Sequence, residues 1–284
     1  MKILILGANG MLGHVLSYEL YKLGIDITCV TKGKLFMNGP KSVQFNLVDF
    51  SNLDNILMEN FDYIVNCAAI LVKDSDLNNL EALRINSFLP KHIDNFLKKF
   101  SLKTVLIHIS TNSVFEFSEK PYTEVDLFSP ITFYDLTKVL GEVYGENRIV
   151  LRSGVVGFER NTNRSLLNWL KISENPVQGY EKDIWSGSTN LEYSRKIISL
   201  IKNKINKGVF HISNNKKISK YELLLMVNKI FFDNNKIILK NQSISRSRIL
   251  INSTNDICYI NKDYYDMFLD LKDWMKINSF LYEI

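Results

Sequence analysis

Tyr134 and Lys138 stand four residues apart in Thr132-Phe133-Tyr134-Asp135-Leu136-Thr137-Lys138. On a helix that spacing places both on one face, so a phenol and an ammonium can enter one site. Such a pair suits the reduction of a carbonyl. Hydride addition leaves an alkoxide that must be protonated as it forms. A phenol can supply the proton if a nearby ammonium draws its pKa down from ~10. A hydroxyl that orients the reacting oxygen would complete the set, and Ile109-Ser110-Thr111-Asn112-Ser113 offers one after an apolar run. Thr111 is the preferred residue and Ser110 the alternative. Tyr18 and Lys22 repeat the spacing, but at the far end of the first helical stretch, and they read as a surface pair.

A second group of residues could hold a nucleotide. Gly7-Ala8-Asn9-Gly10-Met11-Leu12-Gly13 follows the apolar run Ile3–Leu6 and opens a helical stretch, Met11–Leu23. Glycines there permit a tight turn and a close backbone approach to a pyrophosphate, which the helix N-terminus attracts. At the end of the next strand, Val30-Thr31-Lys32-Gly33-Lys34 carries no carboxylate to accept from a ribose 2′-hydroxyl. Thr31 and Lys32 instead suit a 2′-phosphate, so NADPH is expected ahead of NADH.

The elements that must position these groups follow from the alternation of short apolar runs with amphipathic stretches. Strands are expected at Ile3–Leu6, Asp26–Val30, Ser42–Phe45, Tyr63–Cys67, Thr104–Ile109 and Ile149–Leu151. Helices are expected at Met11–Leu23, Ser51–Glu59 and Asn79–Lys99 between them. That order predicts βαβ units, a doubly wound parallel α/β sheet of the Rossmann type, and ligands at its carboxyl edge. The expected organisation is a cofactor-binding domain over residues 1–155 and a smaller substrate-binding lobe over 156–284. Within the lobe, helices are expected at Ser165–Ile172, Ser194–Asn203 and 219–232, and a loop-rich stretch at Asn161–Gln178. A strand at Val209–Ile212 should return, with roughly residues 190–213, to the main sheet. The Asn- and Lys-rich remainder reads as partly irregular.

Composition narrows the class without naming a function. The chain has 284 residues, 46% hydrophobic and 23% charged, with a formal net charge of +5. That excludes disordered, collagen-like and disulfide-scaffold proteins. The basic residues form no run that would suggest a nucleic-acid partner. Three separated cysteines fit a reducing cytoplasm, and four histidines without zinc-ligand spacing suggest no metal site. The first apolar run stops at Gly7, short of a secretory signal, and no stretch reaches the ~20 apolar residues of a membrane span. A soluble cytoplasmic protein is expected.

The glycine loop, Asn66-Cys67-Ala68-Ala69, Asn86, Ser110–Phe115, Tyr122-x-Glu124-x-Asp126, Tyr134-x-x-x-Lys138 and Gly141-Glu142 occur in this order over roughly residues 1–155. Together they resemble the extended short-chain dehydrogenases/reductases, and most of all the dTDP-4-dehydrorhamnose reductase family with its sugar-nucleotide-binding (RmlD-like) relatives. Weaker likenesses continue in Arg152-Ser153-Gly154, Asp183–Thr189, Gly208–Ser213 and Ser219–Glu222. The resemblance implies an NADPH-dependent oxidoreductase that reduces a nucleoside-diphosphate 4-keto-6-deoxy sugar at C4, for surface-polysaccharide synthesis. Thr111, Tyr134 and Lys138 would be catalytic. Gly7, Asn9–Leu12, Thr31, Lys32, Asn46, Leu47, Cys67–Ala69, Asn86 and Ser110 would hold cofactor, together with Tyr134 and Lys138. Asn112, Ser113, Arg164 and Trp185 are candidate substrate contacts, Arg164 for the diphosphate and Trp185 for stacking. Members of this branch often form homodimers through helices that flank the active site.

Three departures fall near the sugar pocket. The reductases commonly read S-T-D-Y-V-F where this chain has Ser110-Thr111-Asn112-Ser113-Val114-Phe115. Asp135 replaces the usual glycine, and Gly154-Val155 stands where an aromatic usually follows Arg152-Ser153. Dehydratases of the branch place Asp-Glu after the threonine, so Asn112-Ser113 speaks against them. A nucleotide-sugar 4-epimerase and a non-catalytic NADP-binding regulatory subunit are the alternatives.

Overall fold

The apolar runs of the first half form strands buried on both faces, and the alternation along each assigns its side chains to one of two layers. Along Lys2–Leu6, Ile3 and Ile5 pack into one hydrophobic cluster, while Leu4 and Leu6 pack into a second on the opposite face. Val105 and Ile107 divide from Leu106 in the same way. Near-continuous apolar sequence is what a strand covered by helices on both faces requires. The computed structural model describes residues 1–160, 162–243, 245–254 and 257–282.

Seven strands form the central sheet in the order Gly208–His211, Arg148–Arg152, Val105–Ile109, Tyr63–Asn66, Lys2–Leu6, Asp26–Thr31 and Lys41–Gln44. Every neighbouring pair is parallel. The winding reverses between Lys2–Leu6 and Tyr63–Asn66, which opens a crevice at their carboxyl ends. The helix Asn190–Lys202 and the strand Gly208–His211 lie well beyond residue 155, and the strand completes this sheet.

The expected helix Asn79–Lys99 is divided. Asn79–Ala82 and Leu89–Lys99 are α-helical, but Leu83–Phe88 is a π-helix, and a separate helix, Val72–Leu77, precedes them. The π segment meets the helix Phe133–Gly141, where a Cβ on Gly141 would lie 1.9 Å from the Asn86 carbonyl oxygen. Only glycine allows that approach. The helix expected from Ser194 begins at Asn190, because the Thr189 side chain accepts from the Glu192 amide and caps it there.

The carboxyl-terminal region is more regular than expected. A helix runs over Tyr264–Ile277 and buries Tyr264, Met267, Phe268, Leu271 and Trp274, with Asp263 as its N-cap. That helical spacing was present in the sequence but obscured by its Asp and Lys content. Short strand pairs join later segments to earlier ones outside the central sheet, among them Arg248–Leu250 with Ser118–Tyr122 and Ser188–Thr189 with Val155–Val156. Asn161, at the start of the expected loop, lies outside the described residues. Among the described residues no helix is long and apolar enough to cross a membrane.

Three histidines are buried in the neutral form. His14, between the Gly10 carbonyl and the Tyr282 hydroxyl, is pushed down to about 4 by burial. Burial also lowers His211 to about 4 and His108 well below its ordinary value. An unfolded chain binds these protons near pH ~6.5, whereas the folded chain refuses those of His14 and His211 until about 4 and that of His108 until well below its ordinary value. Stability is therefore expected to fall as pH drops from 6.5 toward 4, each histidine adding a slope of about 1.4 kcal/mol per pH unit. Urea unfolding at pH 7, 6 and 5 measures this. His14→Gln should remove one proton from the slope, and an unchanged slope would contradict the assignment.

Candidate active site

The glycine loop turns directly from strand Lys2–Leu6 into helix Gly13–Lys22 at the crevice. Gly7 has φ +76°, and a Cβ there would lie 2.9 Å from the backbone of Ala68. A Cβ on Gly13 would lie 2.2 Å from the Gly7 carbonyl. The Gly10 amide donates to that same carbonyl at 3.0 Å. Bare backbone thus borders the helix N-terminus, which is the surface that a pyrophosphate needs.

Other expected cofactor residues surround or support this loop. Asn9 holds the neighbouring segment, donating to the Lys34 carbonyl at 2.8 Å and accepting from the Phe36 amide at 3.3 Å. The Met11 carbonyl accepts from Asn190, and Leu12 is buried. Thr31 is buried, with its hydroxyl donating to the Gly33 carbonyl, whereas Lys32 is exposed. Asn46 accepts from the Val48 amide at 3.2 Å, and Leu47 is buried. Cys67 and Ala68 follow strand Tyr63–Asn66, and the Ala68 amide donates to Asn66, while Ala69 is exposed. Burial pushes the Cys67 thiol up to about 12, so it is no nucleophile. The Asn86 amide bonds Ile70 through both backbone groups and donates to Thr137 Oγ1 at 3.0 Å. That spends the side chain on holding the helix Phe133–Gly141.

Thr111 follows the strand Val105–Ile109, and Tyr134 lies in the first turn of the helix Phe133–Gly141. A capping box fixes the start of that helix: the Thr132 hydroxyl accepts from the Asp135 amide, and the Asp135 carboxylate accepts from the Thr132 amide. Asp135, in the usual glycine's place, therefore does local structural work. The Thr111 hydroxyl accepts from the Ser113 amide at 3.1 Å and stands near enough to the Tyr134 phenol to favour its ionised form. Lys138 is 1% exposed and donates to the Ile109 carbonyl at 2.8 Å.

The electrostatics differ from the expectation that Lys138 would draw the phenol down. Burial pushes Tyr134 up to about 12; Thr111 and Arg248 partly offset this, while Asp135 adds to it. Burial also lowers Lys138 to about 8, with Glu142 opposing the fall. Desolvation outweighs the pairing for both groups because each stands in low-dielectric surroundings.

Two features beside the site carry no sequence motif of their own that discloses their roles. The Glu142 carboxylate is fully buried and accepts from Ser110 Oγ at 2.5 Å, Arg152 Nη2 at 2.8 Å and the Tyr144 hydroxyl at 2.6 Å. Ser110 is thereby tied below the site instead of pointing to a ligand. Arg248, from the carboxyl-terminal lobe, bonds Ser113 and Asp135. Asn112 in turn donates to the Arg248 carbonyl at 3.1 Å. Only the fold brings position 248 here.

Two expected substrate contacts have other partners. Arg164 is exposed and paired with Asp74. Trp185 is 5% exposed and packs against Tyr264, with a Cβ on Gly154 lying 2.7 Å from its ring nitrogen. It is a wall of the core, since no open face is left for stacking. The glycine at 154, where an aromatic was the family's habit, makes the room that Trp185 fills.

The family model described as RmlD substrate binding domain matches residues 1–236. Over 258 residues the chain is 28% identical to methionine adenosyltransferase 2 subunit beta of Mus musculus, covering 81% of this chain and 72% of that protein. It is 24% identical over 227 residues to the spore coat polysaccharide biosynthesis protein SpsK of Bacillus subtilis, covering 78% and 76%. Among solved structures, it is similar to a hypothetical dTDP-4-dehydrorhamnose reductase from Sulfolobus tokodaii. That similarity has 25% identity and a TM-score of 0.78 over 95% of this chain and 98% of the other.

Proposed function

We propose that this chain, which belongs to the RmlD substrate binding domain family, is an NADPH-dependent reductase of a nucleoside-diphosphate 4-keto-6-deoxy sugar. The observation that carries the reading is that Lys138, on the same helix as Tyr134, donates to the Ile109 carbonyl at 2.8 Å, which ties that helix to the strand end that carries Thr111 at the carboxyl edge of the sheet. The bare glycine loop suits a dinucleotide, and the exposed Lys32 suits its 2′-phosphate. A bound nicotinamide would supply hydride to C4.

The chain's own part is to orient the carbonyl and deliver a proton. Thr111 Oγ1 is placed to hydrogen-bond the sugar oxygen, and Tyr134 Oη is placed to protonate it. A phenol at about 12 keeps its proton at neutral pH. It is still far more acidic than an alcohol, whose pKa is near the ~16 of water, so transfer to a forming alkoxide is downhill. Lys138, largely protonated below about 8, places a cation beneath the site.

A place in polysaccharide synthesis draws support from the likeness to SpsK. The likeness to a subunit of methionine adenosyltransferase 2 favours one other reading, a non-catalytic NADP-binding subunit. Purified protein with NADPH and a panel of nucleoside-diphosphate 4-keto-6-deoxy sugars separates the two. Loss of NADPH absorbance with at least one sugar is expected. Tight NADPH binding without consumption would transfer the assignment to the subunit.

A further inference from the structure

We propose that Arg248 is a positioning residue for this reduction. Delivered by the carboxyl-terminal lobe, its guanidinium holds the Thr111 segment and the Tyr134 helix in register, and its charge offsets Asp135 beside the phenol. The consequence for turnover rests on the reductase reading; the geometry does not.

Thr111 and Tyr134 belong to separate segments, and each segment gives one side chain to Arg248. Ser113 Oγ accepts from Nη1 at 3.0 Å, and Asp135 Oδ2 accepts from Nη2 at 2.6 Å. The Asn112 amide adds a third tie to the Arg248 carbonyl. A planar fork fixes the separation of its two acceptors, which the single ammonium of lysine cannot do. The guanidinium also lies 4.3 Å from the centroid of the Phe117 ring, which holds its plane. Its Nε is buried and has no partner among the described residues. An arginine that served only solubility would not be kept at that cost.

Charge balance points the same way. Asp135 is 1% exposed and adjoins Tyr134, so alone it would oppose any negative charge on the phenol. Arg248 opposes Asp135 there. Among the described residues, charged groups on the other elements packed against this helix have other partners or are exposed. Asp74 pairs with Arg164, Glu81 bonds Asn78, Arg84 donates to the Val48 carbonyl, and Asp76 is exposed. Lys91 donates to the Glu142 carbonyl, Asp94 pairs with Arg148 and Lys98, and His92 with Asp54. Within the helix, Lys138 bonds Ile109.

Labelling tyrosines with ¹³C at Cζ gives Tyr134 a resonance that Tyr134→Phe identifies by its loss. Wild type, Arg248→Lys, Arg248→Met and Asp135→Asn are titrated upward from pH 7, with circular dichroism reporting the fold. The Tyr134 resonance should begin to shift at higher pH in Arg248→Met and at lower pH in Asp135→Asn, with Arg248→Lys close to wild type. With NADPH and dTDP-4-keto-6-deoxyglucose as the probe, Arg248→Met should lose at least tenfold in kcat with KM within threefold. Arg248→Lys should recover kcat only partly, because it restores charge without the fork. A Tyr134 resonance that is unmoved in both folded Arg248→Met and Asp135→Asn would overturn the proposal. If wild type itself consumes no NADPH, the reductase reading fails, and the resonance still decides the role of Arg248.

Discussion

Tyr134→Phe is expected to lower kcat for NADPH oxidation by about 10²–10⁴-fold, the usual contribution of a positioned proton donor. NADPH affinity should change little, because the glycine loop and the Thr31–Lys32 strand end are untouched. Steady-state kinetics and cofactor fluorescence measure the two separately. Turnover within threefold of wild type would remove Tyr134 from the mechanism.

Glu142→Ala should produce the largest loss of stability, about 3–5 kcal/mol. Its carboxylate has no exposed surface and neutralises Arg152, itself 3% exposed. Truncation would leave the guanidinium buried without its counter-charge, and Ser110 and Tyr144 without their acceptor. Removing both ions should be milder, since replacing a buried pair with apolar groups is often nearly neutral. Urea unfolding of Glu142→Ala, Arg152→Met and the double variant therefore tests the pair. A double variant that loses the sum of the two single losses would show that the ions are uncoupled. Glu142 also faces Lys138 electrostatically and opposes the lowering of its pKa, so the variant's activity should decline at lower pH than that of wild type.

What could be read before folding depended on how local each signal was. Strands such as Ile3–Leu6 declared themselves because burial on both faces demands a continuous apolar run. The glycine loop and the Tyr134–Lys138 pair are likewise contained within a few residues. Asp135 could be seen as unusual in the sequence, but its partnership with Arg248 spans more than a hundred positions and has no local trace. Trp185 illustrates the opposite limit: a lone aromatic can stack on a ligand or fill a core, and only Gly154 and Tyr264 beside it decide for the core. The helix Tyr264–Ile277 was legible in principle, because its buried positions recur at helical spacing. Charged residues on its outer face drew attention away from that pattern.

Burial also accounts for the electrostatic difference. Spacing on a helix correctly placed an ammonium and a phenol on one element, but spacing contains no dielectric. Once both groups are enclosed, desolvation raises Tyr134 and lowers Lys138. The resulting phenol keeps its proton at neutral pH and can give it to a forming alkoxide.

The central claim is most directly tested by following the hydride. NADPH deuterated at C4 of the nicotinamide is incubated with the protein and dTDP-4-keto-6-deoxyglucose, and the sugar is examined by NMR and mass spectrometry. The account predicts one deuterium at C4 of a 6-deoxyhexose, with loss of the keto signal in step with NADPH consumption. Recovery of the keto sugar unlabelled, by a folded protein that binds NADPH and shows no consumption across the wider sugar panel, would contradict it.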